Sequence, residues 1–267
     1  MHFIQPVILS ACLATAAVAA PLAPSDCVTP TLPSTGSTNL PSPSSDVTLK
    51  YIAIGHGIQN YTCASTSASA VNKGALAVLY DITPFYPGTP STGLNAYEFG
   101  SIASTVLWSQ AIPLNLQDPA AAASVTPSLP EADYQADPSD PFPSAREGIE
   151  LTLGGEAYDL EFLGHHYFDA DSSPTFDLVA AAAGLRLSGA KKDDVGAPSG
   201  ADAGIIDTGA VDWLELGDNG RGLSSGLSLA YRVVTAGGVA EACSISGASE
   251  DGEVFSVPYT AQYWFFG

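Results

Sequence analysis

The sequence predicts an all-β protein, folded as an antiparallel β-sandwich or barrel with one long irregular surface loop. Short segments rich in β-branched and aromatic residues recur along most of the chain, and turns containing Gly or Pro separate them. No segment shows a helical apolar repeat sustained over about twelve residues. Many short strands without helical periodicity are typical of a single β-sandwich or barrel.

Residues 1–19 have the composition of a secretory signal peptide. An uncharged apolar run ends at Ala19 in small residues of the A-x-A type. A membrane anchor is the alternative, but about half of the run is Ala, Ser, Thr or Cys, which partition weakly into a bilayer. Residues 20–45 follow as a linker rich in Ser, Thr and Pro. We therefore expect a secreted protein whose single β-domain covers residues 46–267.

The strands of this domain are predicted in chain order. The segment from Val47 to Cys63 predicts two strands around Gly55-His56-Gly57, and GALAVLYDI predicts the next. EFGSIASTVLWSQ is also strand-like. A polar, Pro-rich and acidic stretch at about 109–146 predicts the long surface loop, in which AAAAS could form one helical turn. The remaining strands are predicted in GIELTLGG, YDLEFLGHHYF, TFDLVAAAAGLRLSG, VDWLELG, LSLAYRVVT, GVAEACSIS, EVFSVP and YTAQYWFF.

The net charge of −20 limits the classes of partner. Twenty-eight acidic residues stand against eight basic ones, whereas binding to a polyanion needs clustered Lys and Arg. We expect neither a nucleic-acid partner nor a membrane partner. A solvated acidic surface explains the charge and suits solubility outside the cell. The oligomeric state is not indicated by the sequence.

Three cysteines follow the predicted signal peptide, which contains Cys12. Outside the cell at least two of them should pair. Cys63 and Cys243 lie in predicted strands, so we predict a disulfide between them and leave the pairing of Cys27, in the linker, open. Asn60 begins the sequon N-Y-T and is predicted to be N-glycosylated.

The stretch GHHYFDADSSPTFD, residues 164–177, is the most suggestive of chemistry. Successive strand residues point to opposite faces, so His165 and His166 cannot both bind one metal from a regular strand. A zinc site needs three or four convergent ligands, and His56 lies in a separate segment. We therefore predict a strand end followed by a polar turn, with one histidine buried and hydrogen-bonded, the other exposed, and no metal site.

Two motifs lack the context that their chemistry requires. GLSSG around Ser224 matches the nucleophile-elbow pattern, but a predicted strand follows where that elbow needs a helix. GHGIQN is not a G-x-G-x-x-G motif, and no strand–glycine–helix unit follows it. No catalytic residue is assigned, and no cofactor is expected.

Arg232 and the aromatic C-terminal strand leave two alternatives open. Arg232 shares a strand face with Ala230 and Val234, and a buried charge there needs a carboxylate partner. A structural ion pair is the favoured interpretation, and a ligand contact is the alternative. The strand from Tyr259 to Phe266 is apolar on both faces, which favours core packing over a sugar-stacking platform.

Several segments agree with one family, in the order GHGIQNYTC, GHHYFD, PTFD, VDWLEL, GLSSGLSLAYRVVTAGG, Cys243 and VPYTAQYWFF. Together, from about Leu49 to Phe266, they resemble the secreted fungal and bacterial family called domain of unknown function 3455. The resemblance implies a secreted β-domain with no established activity. Members are often labelled malate dehydrogenase in automatic naming, which the residues here do not support. The family pattern maps onto Gln59, Tyr61, Cys63, His166, Tyr167, Trp213, Leu214, Arg232, Gly237, Gly238, Pro258 and Tyr259.

The expected function is a non-catalytic binding or structural role at the cell surface or wall, with cell-wall polysaccharide or another glycan as a candidate partner. The candidate binding residues are His166, Tyr167, Trp213 and Arg232. The first alternative is a secreted enzyme with a site around His166, Tyr167 and Arg232. The second is a structural or host-interaction protein that exposes an apolar patch on its C-terminal strand.

Overall fold

Strands account for most of the regular structure. The computed structural model of the protein describes residues 29–124, 132–178, 184–246 and 253–267. In chain order the elements are β1 (Leu49–Thr62), β2 (Val71–Asp81), a 3₁₀ turn (Thr83–Phe85), α1 (Ala96–Ser109), α2 (Pro119–Ala123), β3 (Ile149–Leu153), β4 (Glu156–Leu160), β5 (Phe162–Phe168), β6 (Pro174–Asp177), β7 (Arg186–Val195), β8 (Trp213–Asp218), β9 (Leu229–Gly237) and β10 (Val254–Phe266).

Eight of these strands close into an antiparallel barrel in the order β1-β10-β9-β8-β7-β6-β5-β2. The predicted all-β class is confirmed, and of the two predicted forms the chain adopts the barrel. The segment between β2 and β5 forms an insertion that holds both helices and the β3–β4 hairpin. Every strand pair in the barrel is antiparallel. This barrel therefore contains no parallel strand–helix–strand unit of the kind that binds a dinucleotide.

Alternation along β1 and β10 separates a barrel interior from an outer apolar layer. On β1, Ala53 packs with the interior cluster, whereas Ile52 and Ile54 pack with the outer one. Small residues leave room for large ones inside the barrel. A Cβ on Gly55 would lie only 2.6 Å from Cε2 of Tyr263, so glycine is required where this ring crosses the barrel.

Helix α1 covers part of the outer apolar layer. The sequence predicts a strand in this segment, EFGSIASTVLWSQ. That prediction is wrong. The helix begins at an Asn95 cap, whose Oδ1 accepts a hydrogen bond from the Glu98 amide at 2.9 Å. Its buried residues recur at helical spacing, but Ile, Thr, Val and Trp within it resemble a strand by composition. The buried residues of α1 are Phe99, Ile102, Ala103, Val106 and Leu107.

Several strand boundaries also differ from the predictions. β1 is one continuous strand through Gly55 and Gly57, because these glycines provide interior space and make no turn. β10 likewise continues through Pro258. YDLEFLGHHYF is divided at Glu161 into β4 and β5, and GVAEACSIS forms no named strand. TFDLVAAAAGLRLSG supplies β6 and β7, with 179–183 outside the described residues.

The predicted disulfide between Cys63 and Cys243 is confirmed. It joins the residue after β1 to a turn that precedes β10, so Cys63 and Cys243 both lie outside the named strands. The predicted signal peptide, Cys12 and Cys27 lie outside the described residues.

Part of the predicted linker lies against the barrel. The hydroxyl of Tyr231 donates to the carbonyl of Pro41 at 2.9 Å, and Leu32 and Leu40 pack on the outer apolar layer. These contacts fix the entry of the chain into β1. Within the described ranges, no helix combines the length and the apolar character needed to cross a membrane.

Candidate functional site

One end of the barrel interior is an open cavity of about 730 Å³. The other end is filled by apolar side chains, among them Leu163, Leu187 and Phe265. Apolar atoms make up most of the exposed surface of the cavity, although more than half of its lining residues have polar side chains. Its apolar residues are Phe168, Pro174, Ala190, Val211, Leu214, Leu216 and Val239.

Arg232 on β9 faces this cavity. Its Nε and Nη2 donate to the backbone carbonyl of Asp212, at 3.1 Å and 2.9 Å. Across the described residues Arg232 forms no ion pair with a carboxylate, so the structural ion pair favoured from the sequence is not formed. The Arg232 charge nevertheless affects groups inside the barrel. Burial raises the pKa of the Tyr263 phenol, and the Arg232 guanidinium opposes that rise.

His166 on β5 lies beside Arg232 in the cavity wall. Its Nδ1 is 3.0 Å from the carbonyl oxygen of Thr175. Nδ1 therefore carries the proton and donates, which leaves Nε2 as a hydrogen-bond acceptor. Burial lowers the pKa of His166 to about 4, and the Arg232 charge adds to the effect. The imidazole is neutral at pH 7, and His166 is a buried, hydrogen-bonded histidine as the sequence predicts.

Gln59 on β1 supplies a further polar group to the wall. The side chain is 2% exposed, and its Oε1 accepts from Nδ2 of Asn72 at 3.0 Å. Its Nε2 is buried without a hydrogen bond of good geometry among the described residues, but the side chain lies against the phenol of Tyr259 and acts to lower the pKa of that group. Nearby, the hydroxyl of Tyr61 donates to the carbonyl of Gly238 at 2.7 Å. The Gln59 amide is therefore held between Asn72 and Tyr259.

A family profile described as "Protein of unknown function (DUF3455)" matches residues 43–267. The chain belongs to this family. The DUF3455 match spans all ten strands, both helices and every residue of the cavity wall, which confirms the resemblance seen in the sequence. No curated protein and no solved structure matches the chain.

In this DUF3455 protein the four candidate binding residues divide into two pairs. His166 and Arg232 line the cavity, whereas Tyr167 and Trp213 lie on the outer side of the barrel. The Tyr167 hydroxyl accepts from Nη2 of Arg186 at 3.1 Å. Trp213 is buried in the outer layer, and its Nε1 has no partner in the described structure. Strand alternation explains the division, since each outer residue is adjacent in sequence to a cavity residue.

Sequence reasoning did not select Gln59, Tyr61 and Tyr263 as site residues, although Gln59 and Tyr61 fit the DUF3455 pattern. A signal for the first two is present in β1. Gln59 and Tyr61 follow Gly55 and Gly57 at alternate positions, so all four belong to the inward face. A strand face that changes from glycine to polar residues indicates an interior that widens and becomes polar.

The three described histidines do not converge. His56 lies in the outer layer, where its Nε2 is 3.0 Å from the Ala111 carbonyl. His165 is half-buried rather than exposed, and its ring stacks on Phe142 at 4.1 Å between centroids. Within the described ranges, no group of three or more His, Cys, Asp or Glu side chains is placed to hold a metal ion.

The polar turn after β5 is held by Arg221. Its Nη1 lies 2.7 Å from a carboxylate oxygen of Asp169, and its Nη2 binds Asp171. These carboxylates therefore stabilise the turn. Asn60, the predicted glycosylation site, is half-buried, and its Oδ1 accepts from Oγ of Ser256 at 2.7 Å. Glycosylation of Asn60 stays a prediction.

Proposed function

We propose that this protein is a secreted, non-catalytic binding domain that takes one small organic ligand into the open end of its barrel. The proposal is supported most directly by the cavity of about 730 Å³, whose mostly apolar surface is combined with several polar side chains. Small-molecule sites commonly enclose about 300–1,000 Å³ and have this mixed lining. An eight-stranded barrel has enough interior space for one small ligand when side chains do not fill it.

The groups around His166 support binding rather than turnover. Its Nδ1 donates to a backbone carbonyl, so no carboxylate orients the ring or stabilises its protonated form. With a pKa of about 4, the imidazole is a weak base at neutral pH. Tyr167, which the alternative enzyme site would include, does not line the cavity. Its hydroxyl contacts Arg186 on the outer side of the barrel.

The aromatic residues of β10 do not favour a flat polysaccharide-binding surface. Tyr259, Tyr263, Trp264 and Phe265 are each at most 1% exposed. Because these rings are buried, β10 presents neither a sugar-stacking platform nor the exposed apolar patch expected of a host-interaction surface. A cell-wall polysaccharide would reach the cavity only by a chain end, so we propose a small molecule or a terminal sugar unit as ligand.

A location outside the cell is supported by the disulfide and by the composition of residues 1–19. The Cys63–Cys243 bond is of a kind that persists in oxidising compartments. The predicted signal peptide directs the chain there. Mass spectrometry of culture medium from cells expressing the full chain tests this part of the proposal. Retention of the whole product inside the cell would contradict it.

Binding is tested with the neutral fluorescent probe N-phenyl-1-naphthylamine and the purified, disulfide-bonded protein. We expect saturable binding of one probe per chain, because the probe is apolar and the cavity can enclose it. Leu214→Trp should weaken binding at least tenfold, since Leu214 lines the cavity and a larger ring occupies its space. The matched control is Leu223→Trp, at a surface residue that is 43% exposed and outside the cavity wall.

The control should bind the probe as the unchanged protein does, with both variants folded by circular dichroism. Equal affinity in the Leu214→Trp and Leu223→Trp variants would place the probe outside the cavity and overturn the proposal. Absence of saturable binding to the unchanged protein would overturn it as well.

A further inference from the structure

We infer that the ligand of this cavity carries an oxyanion of the carboxylate class beside an apolar body, and that Arg232 is the residue that selects it. This inference rests on the proposed function, because it concerns the same cavity. It names the chemistry of the ligand, which the presence of a cavity alone does not.

The guanidinium of Arg232 is held in place without being neutralised. Its Nε and Nη2 donate to one backbone carbonyl, that of Asp212, and the neutral phenol of Tyr263 lies within its reach. A carbonyl dipole or a phenol orients the group but leaves the full positive charge, whereas a carboxylate would cancel that charge. No carboxylate among the described residues forms an ion pair with it. A planar guanidinium of fixed orientation is well suited to bind a planar carboxylate.

The other charged groups of the wall do not replace Arg232 in this role. Lys191 also lines the cavity, but its Nζ lies 2.8 Å from Oδ1 of Asp194. His166 is neutral because burial lowers its pKa to about 4. The acidic residue of the wall, Asp212, contacts Arg232 through its backbone carbonyl and forms no ion pair with it. Arg232 is therefore the one cation of the described wall that no carboxylate neutralises.

The charge of Arg232 reaches well into the barrel. Burial raises the pKa values of Tyr61, Tyr259 and Tyr263, and in each case the Arg232 charge opposes the rise. These phenols stay neutral at pH 7 and are not anions that could satisfy the guanidinium. At Tyr61 the carboxylate of Asp212 acts in the opposite direction to Arg232, whereas no carboxylate is among the causes at Tyr259 or Tyr263. Because the half-buried Arg232 cation forms no ion pair within the described residues, an anionic ligand would stabilise it more than a neutral ligand would.

The rest of the wall specifies the remainder of the ligand. Leu214, Leu216 and Phe168 offer apolar surface to the body of the molecule. Gln59, held by Asn72 and Tyr259, adds polar character to this wall. His166 leaves Nε2 as an acceptor for a hydroxyl or amide of the ligand. The wall therefore matches an apolar monocarboxylate better than a neutral or cationic molecule.

The test compares 2-naphthoate with 2-naphthamide, which share a ring system and differ in charge. Inhibition constants are measured in competition with N-phenyl-1-naphthylamine at pH 7. We expect 2-naphthoate to bind at least tenfold more tightly than the amide. Arg232→Gln should bring the two constants within about twofold of each other. Arg232→Lys keeps the charge without the planar fork and should retain a several-fold preference.

The matched control is Lys191→Gln, which removes the other cation of the wall, one that Asp194 already pairs. This variant should keep the carboxylate preference within about twofold of the unchanged protein. Equal constants for the two competitors on the unchanged protein, with displacement still abolished by Leu214→Trp, would refute the inference and leave the proposed function standing. An equal loss of preference in Lys191→Gln and Arg232→Gln would refute the selective role of Arg232. Failure of the neutral probe itself to bind would instead refute the proposed function.

Discussion

The ring of His166 lies parallel to the ring of Phe176, with 4.2 Å between centroids and 7° between planes. Phe176 belongs to the apolar cluster of the interior, whereas His166 faces the cavity. The stack thus joins the filled end of the barrel to its open end. The Phe176 ring also removes water from one face of the imidazole. This burial disfavours the protonated form of His166.

The first prediction concerns stability at mildly acidic pH. Burial lowers the pKa values of both His56 and His166 from 6.5 to about 4. Between these values the unfolded chain binds more protons than the folded protein, so the free energy of unfolding decreases as the pH falls. We expect a loss of about 1.5 kcal/mol for each of these two histidines between pH 6.5 and 5. Urea unfolding at a series of pH values measures it.

The variant His166→Phe isolates one of these contributions. This variant should reduce the pH dependence of the free energy of unfolding by about a third to a half, because one of the two fully buried imidazole rings is removed. The reduction is expected whatever the effect of the substitution on stability at pH 7. Burial also lowers the pKa of His165, while Asp81 and Glu215 have pKa values raised by burial and act with the opposite sign. These three groups are the same in both proteins. An unchanged slope in His166→Phe would show that His166 does not titrate below its ordinary range.

The second prediction compares two Gly→Ala substitutions. A Cβ on Gly57 would lie 1.9 Å from the backbone oxygen of Leu76 on the paired strand β2. Gly57→Ala should therefore cost about 3 kcal/mol or more, because the two strands must separate. Gly100 lies in α1, where a Cβ would have no neighbouring atom within 4 Å, and Gly100→Ala should stabilise by about 0.5–1 kcal/mol. Chemical denaturation of both variants checks the pair; similar effects of the same sign would contradict it.

The interior role of Gly57 shows what the sequence could and could not specify. Strand-forming segments were recognisable from composition, and the Cys63–Cys243 pairing from compartment and position. The inward direction of Gly55 and Gly57 depends on β1 pairing with β2 and β10 at once. Such closure joins residues distant in sequence, so local composition suggested a turn instead.

The candidate site was predictable only in part for a related reason. His166 and Arg232 belonged to the family pattern, and both line the cavity. Tyr167 and Trp213 fit the same pattern yet pack outside the barrel, although each is adjacent in sequence to a cavity residue, His166 and Leu214 respectively. Composition cannot decide which of two adjacent residues points inward until the register is known. Nor could it show that Arg232 is held by the backbone carbonyl of Asp212, a group that every residue possesses.

The third prediction concerns the disulfide. Cys63 and Cys243 are 180 residues apart in sequence, so the bond restricts a large part of the unfolded chain. We expect its removal in a Cys63→Ser, Cys243→Ser variant to cost about 2–5 kcal/mol. Thermal or urea unfolding with and without dithiothreitol measures the effect. Dithiothreitol should destabilise the unchanged protein and leave the double variant unaffected; equal sensitivity of the two would contradict the assignment.

The last prediction concerns how α1 is attached to β10. Two buried side chains of β10 donate to carbonyls in the middle of the helix: Thr260 to Ala103 at 2.7 Å, and Gln262 to Phe99 at 3.1 Å. Gln262 has a second role, because its Oε1 accepts from the indole Nε1 of Trp264 at 3.2 Å. The amide thus satisfies a donor that is otherwise buried in the outer apolar layer.

The two substitutions should therefore differ in cost. Thr260→Val removes one donor, while the Ala103 carbonyl keeps its intrahelical partner, so we expect a loss of about 1 kcal/mol. Gln262→Met removes one donor and also leaves the Trp264 N–H buried and unsatisfied, for a loss of about 2–3 kcal/mol. In a Trp264→Phe background the cost of Gln262→Met should fall by about 1 kcal/mol or more, because the stranded indole donor is gone. Urea unfolding of the four proteins in this double-mutant cycle measures the coupling, and a coupling energy near zero would contradict the role assigned to Gln262.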